Sequence, residues 1–136
     1  MIRIILVAIF LLLYSIISLI LYPAVWLIGK FNKKAKDKSS LFIVKNSFKV
    51  VRFLSGTKTT VIGYDRIPKD EPVLFVGNHK SYFDIVISYS LMPGLTGFVA
   101  KKELKKVPVI SWWMRNLYCL FRSEEHTSEL QSPCNL

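Results

Sequence analysis

Cysteine, histidine and acidic residues are scarce in this chain, and each scarcity removes a class of function. There are two cysteines, Cys119 and Cys134, and two histidines, His79 and His126, in 136 residues. Neither cysteine sits in a CxxC pair or a Cys/His cluster, so no metal is expected. A disulfide framework is excluded on the same count, and Cys119 is expected to be a buried small apolar residue. No GxSxG segment occurs, so a serine nucleophile on a strand-to-helix elbow is not expected either. Nine acidic residues face nineteen basic ones, for a net charge of +10.

Charge is missing altogether from Ile4 to Gly29, a run of 26 residues. As a helix it would reach about 39 Å, longer than the roughly 30 Å hydrocarbon core of a bilayer. The run predicts a membrane-inserted segment over residues 1–29. A cleaved signal peptide is the rival reading, but the run is long and no small-x-small site comes after it. Pro23 can kink the helix or divide it into two inserted helices.

Lys30, Lys33, Lys34, Lys36 and Lys38 come directly afterwards, in a basic stretch over residues 30–40 that reads as a connector. Only Arg3 and the amino terminus precede the apolar run, so the positive-inside rule puts the chain beyond Gly29 in the cytoplasm. The surplus suits an anionic membrane surface. Nucleic acid is the other partner such charge could serve, but lysines flanking a bilayer anchor argue against it.

Beyond the connector, Leu41, Val44, Phe48, Val51 and Leu54 recur at helical spacing, with Lys45, Lys49 and Arg52 on another side. This is a basic amphipathic helix, which either lies in the membrane interface or covers a sheet. Ser55-Gly56 should end it. Thr57–Gly63, rich in β-branched residues, reads as a strand, and Val73–Val76, a continuous apolar run, as a strand buried on both faces. A helix is expected over Asp84–Leu91, a strand over Leu95–Ala100, a basic helical turn over Lys101–Lys106, a helix over Val109–Asn116 and a strand over Leu117–Phe121. Strands alternating with helices predict an α/β sheet.

From Arg122 the composition turns polar and acidic, as RSEEHTSELQSPCNL. The string RSEEHTSELQS matches the translation of a short-read sequencing adapter. Residues 122–136 are therefore expected to be an artefact, with the natural sequence interrupted near Phe121, and His126 and Glu129 are assigned no chemistry.

The chemistry concentrates in VLFVGNHKSYFDIVI, Val73 to Ile87. A strand ending at Gly77 delivers His79 where open α/β sheets place ligands. If the chain turns into a helix near Ser81, the Asp84 carboxylate can accept from one imidazole nitrogen and leave the other as a base. Such a pair suits acyl transfer to an alcohol, because a hydroxyl must lose its proton as it attacks. A thioester donor is already activated and needs no protein nucleophile.

Asn78-His79-Lys80-Ser81-Tyr82-Phe83-Asp84 resembles the NHxxxxD box of the glycerolipid acyltransferases. Val61 to Pro68 is similar to that family's Gly-x-x-x-Ile-Pro approach, and Ala100-Lys101-Lys102-Glu103-Leu104 to its AKxEL segment. The resemblance covers residues 41–121, which would form a partial acyltransferase domain. It implies an α/β fold: an N-terminal membrane helix or helices, then a truncated glycerolipid-acyltransferase-like sheet with flanking helices. By resemblance His79 is the catalytic base and Asp84 its orienting partner. Asn78 and Ser81 support the loop, Lys101 either faces the acceptor phosphate or is a solvated lysine, and Lys80 and Lys102 face solvent or headgroups.

The resemblance is nearest to the bacterial members that convert 1-acyl-sn-glycerol 3-phosphate (lysophosphatidic acid) into phosphatidic acid at the inner membrane. It implies no cofactor, with acyl-CoA or acyl-carrier protein as donor substrate and membrane lipid as surroundings. Glycerol 3-phosphate, dihydroxyacetone phosphate or another lysolipid are alternative acceptors. A non-enzymatic, membrane-tethered basic module is the alternative class. The family's downstream Phe-Pro-Glu-Gly-Thr-Arg-like box has no counterpart here, and a lysine cannot copy an arginine's bidentate hold on phosphate. Activity is therefore expected of a longer parent rather than of this polypeptide.

Overall fold

A computed structural model of the chain describes residues 1–68, 71–78 and 81–122. His79, Lys80 and everything past Arg122, Cys134 included, lie outside them. Four α-helices and two short strands form among the described residues: α1 (Ile2–Phe31), α2 (Lys33–Ser55), α3 (Tyr82–Leu91), β1 (Val99–Lys101), α4 (Pro108–Asn116) and β2 (Leu120–Arg122).

The uncharged run is one helix. α1 continues through Pro23, whose missing N–H breaks a single rung of the ladder. It is long and apolar enough to cross a membrane. Only Ser18 and Val25 are buried along it, with Tyr14, Leu21 and Tyr22 packed nearby. Positions 14, 18, 21 and 25 make one narrow stripe at alternating four- and three-residue spacing. The remaining face exposes leucines and isoleucines throughout, far more than a water-facing surface ordinarily carries.

The basic connector is not a connector. Asn32 alone interrupts the helices, and its side chain accepts from the Ala35 N–H at 3.0 Å, capping a helix that begins at Lys33. That bond satisfies one of the amides a helix start leaves without a partner. α2 then runs back along α1: Lys36 lies against Gly29 near the turn, and Arg3 against Gly56 at the far end. The expected stripe is its inner face, with Val44 and Val51 buried and Leu41, Phe48 and Leu54 partly so.

Gly56 stops α2 at φ 70°, its N–H bonding to the Phe53 carbonyl while the Thr57 N–H bonds to Arg52. This is a Schellman close, which requires a left-handed residue. Gly56→Ala should cost about 1–2 kcal/mol, read from thermal unfolding in detergent micelles. An unchanged midpoint would show that α2 does not end this way.

Two expected strands do not form. Thr57–Gly63 has no ladder partner, and Ile62 is 91% exposed. Val73–Val76 takes no regular element and has no strand partner among the described residues. Its exposures alternate as 37, 86, 40 and 86%, the two-residue period of a pleat with one face outward. A strand is made by its neighbour's hydrogen bonds, and no described residue supplies them here. The α/β expectation survives in smaller form. β1 and β2 pair in parallel, Ala100 opposite Phe121, with α4 as the connection between them. The chain enters β2 through Tyr118, which takes a left-handed φ of 58°. Gly97 lies so close to the Tyr118 carbonyl that no side chain would fit.

The core gathers where the helices meet: Val25 of α1, Val44 of α2, Tyr89 of α3, and Trp113 and Leu117 at the end of α4. Trp113 is its hub. Its indole N–H donates to Ser18 Oγ at 3.1 Å, and its ring lies 6.5 Å from Tyr14 and edge-on to Tyr22 at 6.1 Å. The apolar helix is thus bonded to the rest of the fold from its midpoint onward.

Candidate active site

The NHxxxxD segment bends into a helix at Ser81, so that α3 begins at Tyr82 rather than at Asp84. Ser81 is extended, at φ −143°, and its Oγ accepts from the Phe83 N–H at 3.0 Å. Asp84 reaches back to accept from the Ser81 N–H at 3.0 Å through Oδ2. This reciprocal capping box fixes the start of α3 and orients the carboxylate at the same time. The negative charge also lies at the positive end of the helix dipole.

Ser81 and Asp84 are therefore brought together. Asn78, three residues before Ser81, is exposed. His79 lies outside the described residues. Lys101 closes β1 in register with Arg122, at the end of a parallel strand where open α/β sheets collect ligands. Lys102 starts the next helical turn and is exposed. Among the described residues no cluster of His, Cys, Asp and Glu could hold a metal ion.

Behind the capping box, α3 rests on Tyr89. That ring meets Phe48 of α2 edge-on at 5.7 Å and Phe98 at 5.5 Å. Burial pushes the Tyr89 phenol well above its usual range. Cys119 is free and half-buried. It accepts from the Phe98 N–H at 3.4 Å, and burial raises its thiol, so it is a packed residue rather than a nucleophile.

Three contacts were not visible in the sequence. Lys45 Nζ donates to the Met92 carbonyl at the end of α3, and Arg52 Nη1 donates to Ser90 Oγ at 3.0 Å. Of the three basic residues read as one outer side of α2, only Lys49 is exposed. The amphipathic helix therefore covers other elements with two of its charges, which the spacing of Lys45, Lys49 and Arg52 could not divide. The third contact is the Tyr118 hydroxyl donating to Asp37, 3.0 and 3.2 Å from its two carboxylate oxygens. It ties the start of α2 to the turn before β2.

A family model for acyltransferases matches residues 58–132, more than half of the chain, and the chain belongs to that family. Its relatives include proteins named 1-acyl-sn-glycerol-3-phosphate acyltransferase from Saccharomyces cerevisiae and Chlamydomonas reinhardtii. The yeast protein is 32% identical over 79 residues, 57% of this chain and 26% of its own length. The algal protein is 28% identical over 97 residues, 71% of this chain and 27% of its own. A human relative, 1-acyl-sn-glycerol-3-phosphate acyltransferase alpha, is 27% identical over 62% of this chain and 30% of its own. The matched part spans between a quarter and a third of each of these proteins. No solved structure matches the chain.

Proposed function

We propose that this chain is the N-terminal part of a membrane-bound O-acyltransferase. Its reaction moves a fatty acyl group from an acyl thioester to the free hydroxyl of 1-acyl-sn-glycerol 3-phosphate. The observation that carries the reading is the capping box, which holds the Asp84 carboxylate at the head of α3, five residues after His79. In the proposed reaction His79 takes the hydroxyl proton, the oxygen attacks the thioester carbonyl, and the carbon–sulfur bond breaks. The thiolate leaves and receives the proton back. Asp84 steadies the imidazole and its transient positive charge. Asn78 and Ser81 shape the loop, and Lys101 approaches the acceptor phosphate. The names of the relatives support the acceptor, and acyl-CoA and acyl-carrier protein both fit the donor role.

The helical hairpin seats the enzyme. Were α1 to cross a bilayer upright, α2 alongside it would carry the exposed Lys49 into the hydrocarbon at about 2.5–3.5 kcal/mol, and would take Lys45 and Arg52 with their α3 partners to the same depth. We therefore infer that the pair lies within one leaflet, with the apolar face of α1 immersed. The basic run from Lys30 to Lys38 favours the anionic cytoplasmic leaflet. In keeping with the bacterial members it resembles, the inner membrane is the proposed location.

The test is an acceptor panel. Membranes holding the full-length parent should convert 1-acyl-sn-glycerol 3-phosphate and an acyl thioester into phosphatidic acid, monitored by mass spectrometry. Glycerol 3-phosphate should be taken at least about tenfold less well by kcat/KM. Preference for glycerol 3-phosphate would move the assignment to that acceptor. Transfer to no acceptor would leave the lipid-binding module.

A further inference from the structure

The amphipathic helix grips the one helix that carries a proposed catalytic carboxylate, and it does so at that helix's far end. Lys45 donates to the Met92 carbonyl, which closes α3, and Arg52 holds Ser90 Oγ at 3.0 Å. Phe48, between them on α2, meets Tyr89 edge-on at 5.7 Å. Lys45, Phe48 and Arg52 succeed one another at three- and four-residue spacing, so one stripe of α2 engages Met92, Tyr89 and Ser90 at the end of α3. The arrangement is not a generic surface contact. A lysine ammonium at a helix C-terminus meets both the last carbonyls and the negative end of the dipole. Its removal from water shows in the Lys45 ammonium, whose pKa burial pulls down, with Lys49 nearby adding to the effect.

We propose that Lys45 and Arg52 are positioning residues that set the tilt of α3, so that the membrane-seated hairpin and the Asp84 carboxylate move as one body. The proposal rests on the acyltransferase reading for its catalytic consequence and on these contacts for its mechanical one. α3 has ten residues and is about 15 Å long. A tilt of about 10° pivoting at its clamped end would carry the first turn by about 2.6 Å. Displacements of about 1 Å at reacting groups can cost roughly a hundredfold in rate. Neither residue reaches the first turn of α3, so each acts through the helix.

The experiment compares the full-length parent carrying Lys45→Met and Arg52→Met together with the wild type, in mixed micelles. Lys58→Met, at an exposed position beyond α2, serves as a control for lost positive charge. Hydrogen exchange of the α3 amides should rise roughly tenfold or more in the double variant, while α4 amides stay as they were. In the same protein kcat should fall roughly a hundredfold with the acceptor KM within about twofold. Lys45→Arg with Arg52→Lys, which keeps both donors, should recover most of the rate. Unchanged α3 exchange would overturn the proposal, as would a KM rise with kcat preserved. If the wild type transfers no acyl group, the acyltransferase reading fails, and the exchange comparison still decides whether the clamp exists.

Discussion

Replacing His79 by alanine in the full-length parent is expected to lower kcat by roughly a hundred- to ten-thousand-fold, the usual worth of a positioned base. Association with anionic vesicles should be retained, because the basic run from Lys30 to Lys38 and the apolar face of α1 are untouched. Asp84 allows a finer separation, since its carboxylate also caps α3. Asp84→Asn keeps an oxygen that can accept from the Ser81 N–H but removes the charge that the proposed reaction uses to steady the imidazole. It should approach the loss of His79→Ala with little change in stability. Asp84→Ala should lose the cap as well, about 1 kcal/mol more. The wild-type rate should fall as pH drops through the imidazole titration, ordinarily near 6.5, because only the neutral ring accepts a proton. A profile flat from about pH 5 to about pH 8 would sink the histidine base. A His79→Ala enzyme that keeps its rate would sink it as well.

Trp113→Ala is the substitution expected to damage the fold most. The ring is buried at 4% exposure, lies against Tyr14 and Tyr22 of α1, and bonds Ser18. Truncating a buried tryptophan costs about 3–5 kcal/mol, and here it also leaves the Ser18 hydroxyl without its donor in a fully buried position. Trp113→Phe keeps much of the volume and loses the hydrogen bond, so it should cost about 1–2 kcal/mol. Thermal unfolding in detergent micelles, monitored by tryptophan fluorescence and circular dichroism, reads both. A loss under about 1 kcal/mol for Trp113→Ala would mean that α1 does not dock on α4.

The two experiments probe different levels of the same object. The first asks whether a carboxylate held by a capping box serves an imidazole. The second asks whether the apolar helix belongs to the fold or merely tethers it. The bond between Trp113 and Ser18 makes the second question sharp, because it joins residues 95 positions apart in sequence.

Local rules carried much of the way. An uncharged run of 26 residues forces a long helix, since its backbone must satisfy itself away from water. Leu41, Val44, Phe48, Val51 and Leu54 marked the inner face of α2, and Gly56 marked its end through the left-handed turn it alone adopts cheaply. The turn near Ser81 was legible too, although the helix expected from Asp84 begins at Tyr82. These are interactions within about four residues, and sequence spacing describes them fully.

What spacing could not supply was a partner. Val73–Val76 has the composition of a buried strand, yet it leaves Leu74 and Val76 exposed, because strand pairing is a property of two segments. Lys33–Ser40 reads as polar linker but is helical, capped by Asn32 and laid along α1. Lys45 and Lys49 are equally basic, and only the position of α3 turns one inward while the other faces outward. Amino-acid order by itself determined the apolar helix, the inner face and C-terminal end of α2, and the turn into α3. The tertiary structure decided which charges grip that helix and how the apolar anchor is bonded into the core. Those outcomes depend on contacts across tens of residues, whose geometry no local pattern encodes.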